Sequence, residues 1–290
     1  MQEFDKDSKL TLRQMTLDEL KVFILRQNEE NWNLSLNEAE AIYSVDPKGF
    51  FVAEMDGKLV GSLVIMKYGE GYKYGTLYTI QKELRGKGLG PKLFEYGVKQ
   101  ADFERDDESS VGESEHHIWP IYKKRGWEIF CNLEEYKLPT KSYPPVEGVV
   151  DLKTLPIEKL FEYDKKIFGY SRESYLRLLL NHREHFGVAK LDKDGKIIGY
   201  GILKKITDTF YKLAPWLADD KETAVDIFHS AQNCIPGFYM NFAMLDVNKD
   251  VGSIVKKDEW ELIFYAYRIY KSKLPNIDWS KCYGVGGEFH

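Results

Sequence analysis

A run of alternating glycines, Arg85-Gly86-Lys87-Gly88-Leu89-Gly90, is the part of the sequence whose residue types point most directly to chemistry. Glycine lets a ligand approach the backbone closely, and the N–H groups at the start of a helix carry partial positive charge. Phosphate groups bind at such places, and the side chains of Arg85, Lys87 and Lys92 would add positive charge. The run therefore predicts a phosphate-binding loop. The alternative is a tight turn with solvated basic residues.

The segments on either side of this loop predict the elements that would position it. Residues Tyr72 to Ile80 are rich in Tyr, Thr and Ile and alternate in a way that predicts a strand. Pro91 suits the first turn of a helix, where its missing N–H would have no partner. Four apolar side chains after it are spaced to share one helical face: Leu93, Phe94, Val98 and Ala101. A strand, a glycine loop and a helix in this order would direct several backbone N–H groups at one anion.

The spacing of the glycines excludes two common phosphate loops. The dinucleotide fingerprint requires G-x-G-x-x-G, and the triphosphate loop requires Ser or Thr after Gly-Lys, where this chain has Gly88. The remaining pattern is R-x-x-G-x-G, formed by Arg85, Gly88 and Gly90. It closely resembles motif A of the GNAT acetyltransferases, whose loop holds the pyrophosphate of coenzyme A.

The order of the predicted elements resembles the GNAT order too. Before the loop we predict a strand, two helices and two further strands, with a Thr16–Glu19 capping box and an Asp56-Gly57 turn: Leu10 to Met15, Leu17 to Gln27, Leu36 to Tyr43, Phe50 to Met55 and Lys58 to Met66. After the loop helix the family order implies a strand over Ser110 to Glu115. A short helix and a strand follow, over His117 to Arg125 and Trp127 to Lys137.

A second phrase, Tyr122-Lys123-Lys124-Arg125-Gly126-Trp127, resembles the family's Y-x-x-x-G-F signature with Trp in place of Phe. The resemblance implies that Tyr122 protonates the departing thiolate, and the alternative is an aromatic residue packed in the core. It also implies a cofactor site on backbone and loop: Leu77, Tyr78, Thr79 and Ile80 with pantetheine and the acetyl carbonyl, and Arg85, Gly86, Lys87, Gly88, Leu89 and Gly90 with the pyrophosphate.

The base that accepts the amine proton is harder to predict. Many family members carry a carboxylate on the strand before the loop, but Tyr74 to Ile80 contains none. Four titratable residues near the end of the expected fifth strand are candidates: Glu113, Glu115, His116 and His117. We favour Glu115 or His116, acting directly or through water. Two neighbouring histidines also suggest a metal, but no third ligand stands at helical spacing, so no metal is expected.

The second half repeats part of the first. Val188 to Gly199 matches Val52 to Gly61 with two residues added in the turn, which indicates two GNAT-like halves. The segment Ala214 to Glu222 replaces the glycine loop, lacks glycine and carries three acidic side chains that would repel a pyrophosphate. Only the first half should therefore bind coenzyme A. A linker over Pro139 to Pro145 divides the chain into an N-terminal acetyltransferase domain over residues 1–140 and a degenerate GNAT-like domain over residues 146–290. The second domain is expected either to cover and shape the acceptor cleft or to have a structural role.

Asp164-x-x-x-Phe168-Gly169-x-x-Arg172 resembles a motif in the C-terminal domain of two-part GNAT proteins of the YitH type, and the ending Tyr283 to Phe289 also resembles theirs. We interpret Asp164 and Arg172 as an ion pair that holds the start of a helix, in preference to a direct role in catalysis.

Composition limits the possible partners. The formal net charge is -5, the three cysteines are widely spaced, and no signal peptide or run of 18 apolar residues is visible. Nucleic-acid binding needs a basic surface, so it is not expected, and neither is a membrane. A cytoplasmic location and a monomer or homodimer are the expectation.

The sequence thus predicts an α/β (α+β) protein of GNAT fold, with a mixed, mostly antiparallel central sheet flanked by helices, in two tandem halves. Its predicted function is an N-acetyltransferase that uses acetyl-CoA and acetylates the amine of a small-molecule or amino-acid-like acceptor by direct attack. A non-catalytic acyl-CoA sensor or binding module is one alternative, since the usual base is missing. Transfer of another acyl group is a further one.

Overall fold

The computed structural model describes residues 9–256 and 259–286. Residues 1–8 and the last part of the ending motif, Gly287 to Phe289, lie outside this description. Within it the chain forms one 13-stranded sheet with helices on both faces. The strands are β1 (Leu10–Gln14), β2 (Phe50–Met55), β3 (Lys58–Lys67), β4 (Tyr72–Ile80), β5 (Ser109–Ser114), β6 (Glu128–Pro139), β7 (Val149–Asp151), β8 (Phe186–Leu191), β9 (Ile197–Thr207), β10 (Phe210–Ala218), β11 (Tyr239–Leu245), β12 (Glu261–Ser272) and β13 (Cys282–Gly284).

The helices lie between groups of these strands along the chain. They are α1 (Leu17–Asn28), α2 (Ala39–Tyr43), α3 (Leu89–Ala101), α4 (Trp119–Lys124), α5 (Ile157–Phe168), α6 (Glu173–Asn181), α7 (Lys221–Cys234) and α8 (Val251–Ile254). No helix among the described residues is long and apolar enough to span a membrane.

The local sequence signals explain several of these elements. The Thr16 hydroxyl accepts from the Glu19 N–H, and the Glu19 carboxylate accepts from the Thr16 N–H, which completes the predicted capping box of α1. Asp56 and Gly57 have φ values of 49° and 78°, as a two-residue hairpin between β2 and β3 requires. The second predicted helix is in part wrong, because residues 36–38 form a 3-10 turn before α2.

The sheet separates two layers of helices. Residues of β3 alternate between the layers: Val64 and Met66 pack in the cluster that contains α1, α2, α5 and α6, while Leu63 and Ile65 pack in the cluster that contains α3. Helix α7 lies on the same face of the sheet as α3 and covers the strands of the second half of the chain. Below, these two surfaces are called the α1/α5 face and the α3/α7 face.

The two halves exchange their last long strands. The strand order is β1-β2-β3-β4-β5-β12-β6-β11-β10-β9-β8-β7, with β13 paired to β10. Strand β12 of the second half therefore lies between β5 and β6 of the first, and β6 pairs in turn with β11 of the second half. The linker after Pro139 has no regular structure through residue 146. The tandem arrangement is confirmed, but each half's sheet is completed by a strand of the other.

Buried polar contacts also join the halves. Glu38, before α2, pairs with Lys204 on β9 at 2.7 Å, and both side chains are buried. Tyr175 on α6 donates a hydrogen bond to the same carboxylate. Breaking one partner of such a buried pair costs about 3–5 kcal/mol, because it leaves the other charge uncompensated. The halves are thus held in one relative orientation by polar contacts as well as by the shared sheet.

Candidate functional site

Strands β4 and β5 diverge at the centre of the first half. They pair in parallel from Tyr72 with Ser109 to Gly75 with Gly112, while β4 continues to Ile80 and β5 to Ser114. After Gly75, β4 is no longer paired with β5. The backbone edge of this second part of β4 therefore faces the gap between the two strands. The residues of this edge include all four positions predicted for pantetheine, Leu77 to Ile80.

A β-bulge lies on this open part of β4. Ser62 of β3 pairs with Thr79, and Val64 pairs with Thr76, so Leu63 opposes both Leu77 and Tyr78. Leu77 has a φ of 47°, a left-handed conformation that is uncommon for a side chain of this size, and its carbonyl accepts a hydrogen bond from the Ser62 hydroxyl at 2.7 Å. The bulge changes the direction of the backbone groups beside the gap, and no sequence signal indicated it.

The glycine loop follows β4 directly and ends at the first turn of α3. Gly86 and Gly88 have φ values of 75° and 79°, and a Cβ added to either would have no atom within 4 Å. The backbone there is therefore open to a ligand, and Gly88 is the N-cap of a 13-residue helix whose first turn carries no acidic side chain. Gly90 differs, because a Cβ there would lie 2.8 Å from the Tyr78 hydroxyl.

The side chain of Arg85 is committed within the protein. Its Nε donates to the Ile80 carbonyl at 2.8 Å, and its Nη2 lies 2.9 Å from the Glu30 carboxylate. Arg85 therefore ties the loop to the end of β4 and to the segment after α1. Glu30 therefore competes with a bound phosphate for the charge of Arg85. The other predicted basic residue, Lys92, is exposed in the first turn of α3.

Tyr122 lies on the α3/α7 face next to the loop helix. Its ring makes edge-to-face contacts with Phe94 of α3 and with Trp127, at centroid distances of 6.4 and 5.7 Å. Burial raises the pKa of the Tyr122 hydroxyl well above its usual value, and burial also raises the pKa of the neighbouring Tyr78 to about 12. Both phenols therefore remain protonated at neutral pH. Tyr122 is packed among aromatics and can still serve as a proton donor.

The two residues favoured as the base lie at the end of β5, on exposed positions. The His116 ring stacks on Tyr267 at a centroid distance of 4.2 Å and meets Tyr265 edge-on at 4.4 Å. Both tyrosines belong to β12, so the second half supplies the surroundings of His116. Glu115 lies 3.5 Å from His117 Nδ1. Tyr267 packs with the α3 cluster, which places His116 on the same face as Tyr122.

Glu113 occupies a different environment, directly after the last β5 residue paired to β4. Its carboxylate accepts hydrogen bonds from the Tyr74 hydroxyl at 2.9 Å and from Arg268 at 2.8 Å. Arg268 is buried and lies opposite Glu113 in the β5–β12 register. Because Tyr267 and Arg268 are consecutive in a strand, Glu113 and His116 lie on opposite faces of the sheet. Arg268 was missed by sequence reasoning, since nothing near it in the chain links it to β5.

The corresponding gap in the second half is filled by the chain itself. Strands β10 and β11 pair in parallel from Phe210 with Tyr239 to Lys212 with Asn241 and then separate, as β4 and β5 do. Strand β13 pairs with β10 beyond that point, and the Val285 N–H donates to the Ala243 carbonyl of β11 at 2.8 Å. A peptide segment therefore satisfies backbone groups on both sides of this second gap.

The turn from β10 to α7 is also unsuited to a phosphate. The Asp220 carboxylate accepts from the Thr223 N–H at 2.8 Å as the N-cap of α7, and Asp219 pairs with Lys281 at 2.8 Å. A bulge on β10 contains Pro215, which has no N–H to donate. Acidic side chains thus occupy the helix start, where the first half has open glycines.

No group of His, Cys, Asp or Glu side chains suited to a metal ion is found among the residues that the structure describes. A cavity of about 460 Å³ lies in the second half, between the linker, β8 and α7, and it includes none of the predicted site residues.

Comparison with known proteins identifies the family. Two family descriptions, both reading "Acetyltransferase (GNAT) domain", match the chain, one at residues 46–129 and the other at residues 160–284. The chain carries two GNAT acetyltransferase domains in tandem. The second match ends at Gly284 and so covers β12 and β13.

Relatives of this tandem GNAT protein span most of its length. A curated protein named holothin acyltransferase, from Pseudoalteromonas sp. (strain SANK 73390), is 24% identical over 248 residues, which are 85% of this chain and 82% of that protein. A solved structure of a putative acetyltransferase from Pyrococcus horikoshii has a TM-score of 0.78 at 19% identity, covering 98% of this chain and 96% of that one. A tandem GNAT protein from the clavulanic acid biosynthesis pathway has a TM-score of 0.63 at 12% identity, covering 90% and 98%. The GNAT fold and the acyltransferase family are therefore established.

Proposed function

We propose that this protein is an N-acetyltransferase that takes acetyl-CoA at the first half and transfers the acetyl group to the amine of a small-molecule or amino-acid-like acceptor. One observation carries the proposal: the gap between β4 and β5 opens beside a bulged strand edge and leads to a glycine loop with room for a ligand. The second half has neither the open gap nor the open loop. We therefore expect one coenzyme A for each chain, with residues 1–140 supplying its site.

In this proposal the backbone does most of the binding. Leu77, Tyr78, Thr79 and Ile80 offer the strand edge to pantetheine and to the acyl carbonyl, and Gly86 to Gly90 surround the pyrophosphate. Binding there would hold the thioester at the divergence of β4 and β5. The thioester supplies an activated acyl group, and the chain's own task is to orient it and to exclude water from it.

Tyr122 is the proposed proton donor to the leaving thiolate. Its burial keeps the hydroxyl protonated, and it lies with Tyr78 and Phe94 beside the start of the loop helix. Removal of the hydroxyl in Tyr122→Phe should lower kcat about 100-fold, because acid catalysis by one aligned group contributes on that scale. Coenzyme A affinity should stay unchanged, since the ring packing is kept. Tyr96→Phe on α3 is the matched control, and wild-type turnover by Tyr122→Phe would contradict the role.

Glu115 and His116 remain the proposed acceptors of the amine proton, directly or through water. His116 shares a sheet face with Tyr122 and is surrounded by Tyr265 and Tyr267. The test compares kcat for His116→Gln and Glu115→Gln with that for His117→Gln, a neighbouring exposed histidine. Loss of turnover in His117→Gln alone would contradict the assignment. Glu113 is less suited, because Arg268 and Tyr74 already bind its carboxylate.

The choice of acceptors to test starts from the curated relative. The curated relative is named as a holothin acyltransferase, so holothin belongs in an acceptor screen together with simple amines, polyamines and amino-acid amides. The screen should measure thiol release from acetyl-CoA and, in parallel, from longer acyl-CoA thioesters. Release of thiol with at least one amine, fastest from acetyl-CoA, is the expected result.

A second candidate function is a non-catalytic acyl-CoA sensor. The absence of a carboxylate from Tyr74 to Ile80 favours it, because many relatives place their base there. Binding of acetyl-CoA without thiol release across the whole amine panel would establish the sensor instead. A cytoplasmic location follows from either proposal, since acetyl-CoA would have to be available to the protein.

A further inference from the structure

Three buried polar side chains form a chain of hydrogen bonds that leads to the bulge on β4. Nε2 of Gln27, on α1, donates to the Thr79 hydroxyl at 3.1 Å, and the Thr79 and Ser62 hydroxyl oxygens lie 3.0 Å apart. The Ser62 hydroxyl lies 2.7 Å from the carbonyl oxygen of Leu77. The side chains of this polar chain therefore connect a helix to the strand that borders the acyl gap.

The direction of these hydrogen bonds is fixed at the strand end. A carbonyl oxygen can only accept, so the single proton of the Ser62 hydroxyl goes to Leu77. The Thr79 hydroxyl must then donate to Ser62, and its oxygen accepts from the Gln27 amide. This direction leaves Oε1 of Gln27 buried and without a partner among the described residues. Reversing the amide would place that oxygen against Thr79, whose proton is already used.

The peptide unit between Leu77 and Tyr78 is oriented by this polar chain. The C=O and N–H groups of a trans peptide point in opposite directions. Because the Leu77 carbonyl points to Ser62 on β3, the Tyr78 N–H points away from β3 and towards the gap. The strand after the bulge agrees with this. The Gln81 N–H donates to the Val60 carbonyl of β3 at 2.9 Å, and backbone groups alternate along a strand, so Tyr78, three residues earlier, presents its N–H to the opposite side.

The bulge brings two consecutive N–H groups to the gap side of β4. The Gly71 carbonyl accepts from the Ser109 N–H of β5 at 2.8 Å, so the same alternation directs the N–H of Leu77, six residues later, to the side of β5. In a regular strand the next N–H would point back to β3, but the extra residue of the bulge directs that of Tyr78 to the gap as well. Two adjacent N–H groups form a small concavity of partial positive charge, which suits one oxygen atom.

Leu77 holds this arrangement in a backbone conformation that is unfavourable for leucine. Its φ of 47° is left-handed, and residues with a Cβ persist there only when their surroundings hold them. The hydrogen bond from Ser62 to the Leu77 carbonyl is an interaction that holds it, and Ser62 is 0% exposed. Removing the hydroxyl would leave this carbonyl without its side-chain donor, and the peptide could then turn.

We propose that Ser62 is a positioning residue for the acyl group. It holds the Leu77–Tyr78 peptide so that both N–H groups face the carbonyl oxygen of a bound acetyl thioester, and Thr79 and Gln27 orient its hydroxyl. When the amine attacks, the C–N bond forms and the carbonyl electron pair moves to this oxygen, and it returns as the C–S bond breaks and the thiolate leaves. Donors placed at that oxygen stabilise the charge that develops there. This role rests on the proposed function and adds the side chains that prepare its backbone site.

The test compares acetyl-CoA with S-ethyl-CoA, a thioether that has CH₂ in place of the carbonyl group. Both are titrated calorimetrically into the full-length protein without an amine, so no acceptor has to be known. The wild type should bind acetyl-CoA at least about fivefold more tightly, as expected for one hydrogen bond of ordinary net strength. Equal affinities would overturn the positioning role and leave the coenzyme A site intact, whereas binding of neither ligand would overturn both.

Variants of Ser62 then assign this affinity ratio to the hydroxyl. Ser62→Ala should reduce the ratio to about one and leave the affinity for S-ethyl-CoA unchanged, since only the carbonyl contact is lost. Ser35→Ala is the matched control. Ser35 is 1% exposed and its hydroxyl donates to the Lys205 carbonyl at 2.6 Å, so this variant loses the same kind of bond elsewhere and should keep the ratio. A ratio of about fivefold in Ser62→Ala would refute the role.

Two variants of Thr79 test the polar chain behind Ser62 and do not depend on the folding of Ser62→Ala. Thr79→Val keeps the branched shape and removes the hydroxyl, whereas Thr79→Ser keeps the hydroxyl and removes a methyl group. The ratio should fall in Thr79→Val and persist in Thr79→Ser, because only the first interrupts the hydrogen bonds to Ser62. Circular dichroism checks the fold of each variant. Equal ratios in Thr79→Val and Thr79→Ser would contradict the proposal.

Discussion

Replacing Gly88 with Ala tests the loop in a way that separates backbone strain from ligand contact. Gly88 has a φ of 79°, and a Cβ at this position would have no atom within 4 Å, so an added methyl group meets only strain and whatever binds there. An alanine in this left-handed conformation costs about 1–2 kcal/mol. Gly195, in the β8–β9 turn, has a φ of 74° and equally open surroundings. Gly195→Ala should therefore lose the same stability and report nothing about the loop.

The assay combines unfolding with coenzyme A titration. Without ligand, Gly88→Ala and Gly195→Ala should lower the free energy of unfolding by the same amount, about 1–2 kcal/mol. At a coenzyme A concentration about 100 times its Kd, the wild type and Gly195→Ala should gain about 2.7 kcal/mol. Gly88→Ala should gain much less, since the methyl group occupies the space predicted for a phosphate oxygen and should weaken binding at least about tenfold. Wild-type affinity in Gly88→Ala would refute the reasoning that this loop holds the pyrophosphate.

Three other outcomes follow from the structure. Titration should give one coenzyme A per chain, because β13 fills the second gap, and a second equivalent site would contradict this. Residues 1–140 expressed alone should fail to fold or to bind coenzyme A, because β12 would be missing between β5 and β6. Circular dichroism and calorimetry measure folding and binding of this fragment. A folded fragment that binds coenzyme A would show that the exchanged strand is dispensable. Burial lowers the pKa of His185 to about 4. In the unfolded chain this histidine has an ordinary pKa near 6.5, so the unfolded state takes up a proton at a higher pH than the folded state does. The free energy of unfolding should therefore decrease by up to about 3 kcal/mol as pH falls from about 6.5 to 4. Urea unfolding of His185→Gln should lack this part of the pH dependence.

The sequence predicted the parts of this protein that depend on neighbouring residues. The Thr16 capping box, the Asp56-Gly57 turn and the glycine loop at the start of α3 are each specified within a few residues, and all three are present. The tandem organisation was predicted because the sequence of β8 and β9 repeats that of β2 and β3, and two segments of one chain can be compared directly. The sequence was enough to place the proposed pantetheine positions, Leu77 to Ile80, on β4. It did not predict the bulge on that strand, because leucine gives no signal for the left-handed φ that Leu77 adopts.

Only the tertiary structure decided which strands became neighbours. Pairing of β12 with β5 joins Arg268 to Glu113 across 155 residues, and such a contact depends on sheet register and on the fit of both halves, which no local pattern encodes. The same holds for β13 in the second gap, for Tyr265 and Tyr267 around His116, and for Arg172 beside Phe168 and Tyr72. By itself the sequence determined one loop suited to a phosphate and two copies of one fold. The exchange of strands determined that residues of both copies surround a single site.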